Sequence, residues 1–131
     1  MTDSPLLDSS DSTSPFIQET TAEKFEQDVV VRSQDLPIVI DFWAPWCDPC
    51  RQLTPLLEKL VIEDGGRWLL VKVNIDDCQE LAQGFGVESI PLLIAFLDGQ
   101  PVGNPPDHLS AGLQHRIGEH AHQPDPTAAV D

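Results

Sequence analysis

Ile38-Val39-Ile40-Asp41-Phe42-Trp43-Ala44-Pro45-Trp46-Cys47-Asp48-Pro49-Cys50 is the stretch on which the fold and the chemistry of this chain turn. Its first six residues are β-branched, apolar or aromatic apart from Asp41. They are too few to cross a bilayer, so they read as a buried parallel strand, opened by Pro37. Beyond Cys50, Leu53, Leu56, Leu57 and Leu60 recur at helical spacing and predict a helix to about Ile62. Pro55 lies inside it, removes a backbone donor and is expected to kink it. A C-x-x-C at a strand-to-helix junction puts the first sulfur at the helix N-terminus. Free N–H groups and the macrodipole there stabilise a thiolate, the reactive form of the residue. The chemistry to expect of Cys47 and Cys50 is thiol–disulfide exchange.

C-x-x-C is also half of a zinc site, but a closed tetrahedral site needs two more ligands at comparable spacing. The third cysteine, Cys78, stands alone, and the four histidines lie towards the C-terminus without a tight Cys/His pair. No metal ligands are assigned on this ground. An inert structural disulfide is the other alternative, and C-x-x-C in a cytosolic chain points away from it.

The length of 131 residues suits one domain with a single core. Seven basic against 22 acidic residues give a formal charge of −15. That argues against nucleic acid and anionic membrane surfaces as partners and favours basic or neutral ones. Met1 to Ser14 is polar apart from Leu6-Leu7, so neither a secretory signal nor a membrane-length apolar run is read, and a cytoplasmic location is expected.

Residues 1–15 read as an acidic disordered tail, 16–122 as the folded domain and 123–131 as a flexible C-terminal tail. Phe16 to Glu19 predicts a short first strand, and Thr20 to Glu23 a capping box for a helix with Phe25 and Val29 on its apolar stripe. Gly65-Gly66 ends the Cys50 helix, and Trp68 to Asn74 reads as the next buried strand. A short helix from about Cys78 to Gln83 follows, opened by Asp76-Asp77. Leu92 to Leu97 is a further strand, with Asp98-Gly99 as a hairpin turn. A last helix is expected from about Leu109 to His120, with Leu109, Leu113 and Ile117 on one face. The fold class is α/β, a central mixed sheet flanked by helices.

These residues resemble the thioredoxin family. Asp41 to Cys50 is similar to its active-site signature with one change, Asp48 in place of a glycine. Pro55, Lys72-Val73-Asn74-Ile75-Asp76 and Phe85 to Pro91 resemble further family segments in the same order, so that the likeness covers about residues 16 to 103. Arg51-Gln52-Leu53-Thr54-Pro55 and Asp98-Gly99-Gln100-Pro101-Val102 are especially similar to the thioredoxin module of tetratricopeptide-containing co-chaperones, whose repeat domain this sequence lacks. The resemblance implies a reductase of protein disulfides, with a thioredoxin reductase as electron donor and no cofactor beyond the Cys47–Cys50 couple. Cys47 would attack and Cys50 resolve. Asp41 would pair with Lys72 and exchange the Cys50 proton, Pro91 would be cis, and Trp46, Ile90 and Pro91 would hold the substrate. The alternative is a thioredoxin-fold binding or chaperone-like module with secondary redox activity; a third possibility is a redox partner dedicated to one client.

Further expectations concern tuning. Asp48 and Pro49 lie between the thiols, and a carboxylate beside Cys47 opposes its thiolate and makes a more reducing couple. Pro105-Pro106, within Gly103 to Asp107, supplies no N–H groups, so a degenerate last edge strand is expected, short or absent. Leu92 to Leu97 would then be partly unpaired. Asp107 would add negative charge near Cys47, weakening an ordinary reductase and favouring basic clients. Cys78 reads as a bystander thiol. His115, Glu119 and His122 would share a helix face, as His108 is seven residues before His115, and a solvated polar face is preferred over a divalent metal site.

Overall fold

The structure, a computed structural model, describes residues 14–102 and 111–120. The expected tails up to residue 13 and from residue 121, the Gly103 to Asp107 segment, and His108, Leu109 and His122 lie outside the described residues.

Five strands form one sheet in the order β1-β3-β2-β4-β5, with β1 Ile17–Glu19, β2 Ile38–Trp43, β3 Leu69–Asn74, β4 Leu92–Leu97 and β5 Gln100–Val102. β3 lies parallel to both β1 and β2, with Asp41 beside Lys72 in the β2–β3 register. β4 runs antiparallel to β2 and β5 antiparallel to β4, so the sheet is mixed, as expected. The helices are α1 Asp48–Glu63, α2 Gln79–Gly84 and α3 Ala111–His120.

Alternation along the strands divides the core into two layers. Val39 of β2, Leu70 of β3 and Leu93 and Ala95 of β4 meet Leu53, Leu57 and Val61 of α1 and Leu113 and Ile117 of α3. The opposite face carries Ile38, Ile40, Phe42, Leu69, Val71 and Val73, packed with Val29 and Cys78. Phe25, Phe85 and Phe96 add a cluster of tilted and edge-on rings there, centroids 5.5 to 6.0 Å apart. Both faces are therefore covered, the condition that makes a parallel strand read as an unbroken apolar run. Asp41 and Lys72 are the polar exceptions on the α1 face, both buried.

Gly65 and Gly66 end α1 with φ of 68° and 77°. A Cβ on Gly66 would run into the Phe16 ring, so this close approach of backbone to side chain needs glycine. Asp98 and Gly99 both have positive φ, and Leu97 pairs with Gln100, which makes the expected two-residue hairpin.

Two local expectations are corrected. Thr20 does not cap a helix through Glu23. Its hydroxyl donates to Asp28 Oδ2 at 2.8 Å, and the chain winds as a wide π-helical segment, Glu26–Val31, running into a 3₁₀ turn, Arg32–Gln34. Trp68 precedes its strand rather than opening it; it is fully buried, with Nε1 donating to Asp64 Oδ2 at 2.8 Å. The final strand is short among the described residues: β5 pairs Gln100 to Val102 with Leu97 to Ala95.

Candidate active site

β2 delivers the chain, through Ala44-Pro45-Trp46, to the N-terminus of α1. Cys47 is the N-cap residue, in extended conformation, and Pro49 sits in the first turn, where the missing N–H costs nothing. The N–H of Cys50 donates to Cys47 Sγ at 3.2 Å. Cys47 and Cys50 are joined as a disulfide, with Cα atoms 5.3 Å apart. Cys47 is 5 % exposed and Cys50 1 %, so Cys47 is the less covered of the two. Once the bond is reduced, a charge on Cys47 Sγ meets a backbone donor and the positive end of the helix dipole.

Ile90 and Trp43 pack against the cysteine pair, and the Ile90–Pro91 peptide is cis. Pro91 leads directly into β4, one residue beyond the Phe42–Leu92 register pair, which brings it level with the end of β2. Trp46 is 64 % exposed, and its Nε1 is held at 3.2 Å from both carboxylate oxygens of Asp76. The disulfide thus has an exposed indole of fixed orientation beside it in the chain.

Beneath the cysteines lies a polar group that sequence reasoning described only in part. Asp41 has no exposed surface. Thr54 Oγ1 donates to its Oδ2 at 2.7 Å, while Oδ1 is buried with no hydrogen-bond partner among the described residues. Lys72 Nζ lies 2.9 Å from Glu58 Oε2, an ion pair at hydrogen-bond distance, and its charge also favours the ionised form of Asp41. Burial pushes the Asp41 carboxyl up from 3.8 to about 6, against the lowering effects of the Thr54 hydrogen bond and the Lys72 charge, while Glu58 raises it further. Thr54 and Glu58 were missed as site residues. The signal for them was spacing: Cys50, Thr54 and Glu58 stand four residues apart and form one polar stripe along α1.

Asp48 is not an isolated charge beside Cys47. Arg51 Nη2 lies 2.8 Å from Asp48 Oδ1, and Arg51 Nη1 donates to the Pro45 carbonyl at 3.2 Å. The expected opposition to the Cys47 thiolate is therefore largely offset at the rim of the site. Cys78 is buried away from the disulfide, with Sγ 3.8 Å from the Thr20 carbonyl. Burial, and then the charge of Asp77, pushes its thiol up. That is the setting of an unreactive cysteine. On α3, Glu119 takes contacts from His115 at 3.2 Å and Arg116 at 3.3 Å, a solvated cluster on an exposed helix face.

A disulfide at a helix N-terminus, Ile90 packed against it with a cis peptide to Pro91, and a buried acid bonded to the same helix define a thiol–disulfide oxidoreductase. The thioredoxin family model matches residues 16–118. The chain is 39 % identical over 109 residues to thioredoxin C-2 of Corynebacterium nephridii, an alignment covering 79 % of this chain and 99 % of that one. It is 49 % identical over 73 residues to thioredoxin of Haemophilus influenzae, covering 56 % and 68 % of the two chains, and 39 % identical over 84 residues to thioredoxin 1 of a Nostoc species, covering 64 % and 77 %. The chain belongs to the thioredoxin family, and its activity is thiol–disulfide exchange on protein disulfides.

Proposed function

We propose that the chain reduces protein disulfides in the cytoplasm, with Cys47 attacking, Cys50 resolving and a thioredoxin reductase restoring the dithiol. The observation that carries this order is the Cys50 N–H donated to Cys47 Sγ at the N-cap of α1, which stabilises a thiolate on the first sulfur alone.

The cycle follows from that asymmetry. The Cys47 thiolate attacks one sulfur of a client disulfide, forms a mixed disulfide and releases the other client sulfur as a thiolate, which is protonated. The Cys50 thiol then gives up its proton, with Asp41 as acceptor through the polar stripe of α1, and its sulfur attacks Cys47. The Cys47–client bond breaks as the Cys47–Cys50 bond forms, and two electrons have passed from the dithiol to the client. Trp46, Ile90 and Pro91 offer the surface on which the client backbone is held. The couple itself carries the electrons, so the cycle needs no further cofactor.

No helix among the described residues is long and apolar enough to cross a membrane. The likeness to the co-chaperone module rests on residues 51–55 and 98–102 and assigns no partner of its own.

The test is reduction of a disulfide-bonded protein by the full chain, with Cys50→Ser and Cys47→Ser for comparison. Cys50→Ser should accumulate a mixed disulfide that Cys47→Ser never forms. Full turnover by Cys47→Ser would overturn the assignment. Holdase activity surviving in Cys47→Ser, without disulfide reduction by the wild type, would favour the binding-module alternative.

A further inference from the structure

The polar stripe of α1 contains a residue whose placement the redox cycle above does not explain. A threonine inside a helix commonly satisfies its hydroxyl on the carbonyl four residues back, which for Thr54 is that of Cys50. Thr54 instead donates across to β2, to Asp41 Oδ2 at 2.7 Å. Cys50 and Thr54 are one helical turn apart on the same face, so this bond also places the Asp41 carboxyl under the turn that carries the resolving thiol.

Resting on the reductase reading above, we propose that Thr54 is a positioning residue of the redox cycle: its hydroxyl occupies Asp41 Oδ2, so that the proton leaving Cys50 is received on Oδ1. A carboxyl oxygen that already accepts a hydroxyl proton is the poorer place for a second one, because protonation weakens it as an acceptor. Oδ1 has no hydrogen-bond partner among the described residues and is free to take it. The charged groups facing this carboxyl are Lys72 of β3, which favours the ionised form, and Glu58 of α1, which opposes it. On its other side β4 presents Leu93, an apolar neighbour in register. With Lys72 held on Glu58 at 2.9 Å, Thr54 supplies the hydrogen bond that keeps Asp41 partly ionised near neutral pH, the state in which it can act as a base.

Thr54→Val keeps the shape and removes the donor, and Thr54→Ser restores it. In the disulfide form of the full chain, the carbon-13 shift of the Asp41 carboxyl reports its titration. Thr54→Val should move the midpoint upward by about one pH unit, the effect of one hydrogen bond to a charged group. The rate at which Cys50 resolves a preformed mixed disulfide should then fall about eightfold at about pH 5.5, following the ionised fraction, and stay within about twofold at about pH 8. Thr54→Ser should return both readings to wild type, and Thr54→Ala should repeat the valine result. An unmoved midpoint in Thr54→Val, a moved midpoint with an unchanged acid limb, or no rescue by serine would each overturn the role of Thr54. None of these would stop the wild type from reducing disulfides at high pH, whereas failure of the reductase reading shows as no turnover by wild type at any pH.

Discussion

Replacing Asp41 with asparagine should alter how stability depends on pH, by an amount that burial sets. Burial raises the carboxyl from 3.8 to about 6 in the folded chain. Between those values the folded state keeps the proton and the unfolded state has lost it, so unfolding releases a proton and stability falls as pH rises. The stabilising contribution is fully present below the unfolded value and is lost as pH climbs through the folded one. That gap corresponds to about 3 kcal/mol. Asparagine still offers Thr54 an oxygen and puts an uncharged amide group where Oδ1 stood. Any cost of that group is the same at every pH and cancels when two pH values are compared. Urea unfolding of both proteins in the disulfide form, where neither active-site thiol titrates, supplies the measurement. From about pH 4 to about pH 8 the stability of Asp41→Asn relative to wild type should rise by about 2.5 kcal/mol, the rest of the gap lying below about pH 4 and most of the rise below about pH 7. A difference that stays flat within about 0.5 kcal/mol would refute the claim that Asp41 is held above its ordinary value, and with it the role of the carboxyl as a base near neutral pH.

Three further outcomes are expected. Limiting alkylating reagent added to the reduced chain should modify Cys47 first, then Cys50, and leave Cys78 unmodified until the chain unfolds; peptide mapping that finds Cys78 labelled early would contradict its burial. Because Arg51 holds Asp48 at 2.8 Å, Asp48→Gly should move the Cys47 thiolate titration to lower pH by uncovering the guanidinium, while Arg51→Gln should move it to higher pH by uncovering the carboxylate. Shifts of the same sign in the two variants, or no shift in either, read by thiolate absorbance, would show that the pair does not act on Cys47 in this way. Gly66→Ala should destabilise the fold by about 1–3 kcal/mol in thermal or urea unfolding, since it combines positive φ with a collision against Phe16, whereas Gly84→Ala, with open space at its Cβ, should not.

The elements around the redox centre were legible because each is specified locally. β2 was readable to the residue, since a strand covered on both faces is apolar throughout and this one is bounded by Pro37 and Ala44-Pro45. The disulfide, its helix N-terminus and the Asp98-Gly99 turn likewise depend on residues a few positions apart. What stayed hidden were side chains whose partners arrive from elsewhere in the chain. Thr20 has Glu23 at capping-box spacing, yet it found Asp28, which comes within reach only after the segment has wound into a wide helix. Lys72 has Asp41 beside it in register, yet its ammonium lies at hydrogen-bond distance from Glu58. Physical chemistry accounts for that choice. A buried lysine stays charged more cheaply against a carboxylate that keeps some water, and the Glu58 side chain is 21 % exposed whereas Asp41 has no exposed surface. Asp41 is thereby left to its burial, with the Thr54 hydroxyl as its hydrogen-bond partner among the described residues. Thr54 was invisible for the same reason: a helical threonine has a default acceptor on its own backbone, and only the acid lying under it on β2 turns the hydroxyl outward. Counting in fours from Cys50 names the stripe of Cys50, Thr54 and Glu58, and the β2–β3 register names the Asp41–Lys72 pair opposite it. The site is the meeting of those two patterns, each visible in the chain and neither informative without the other.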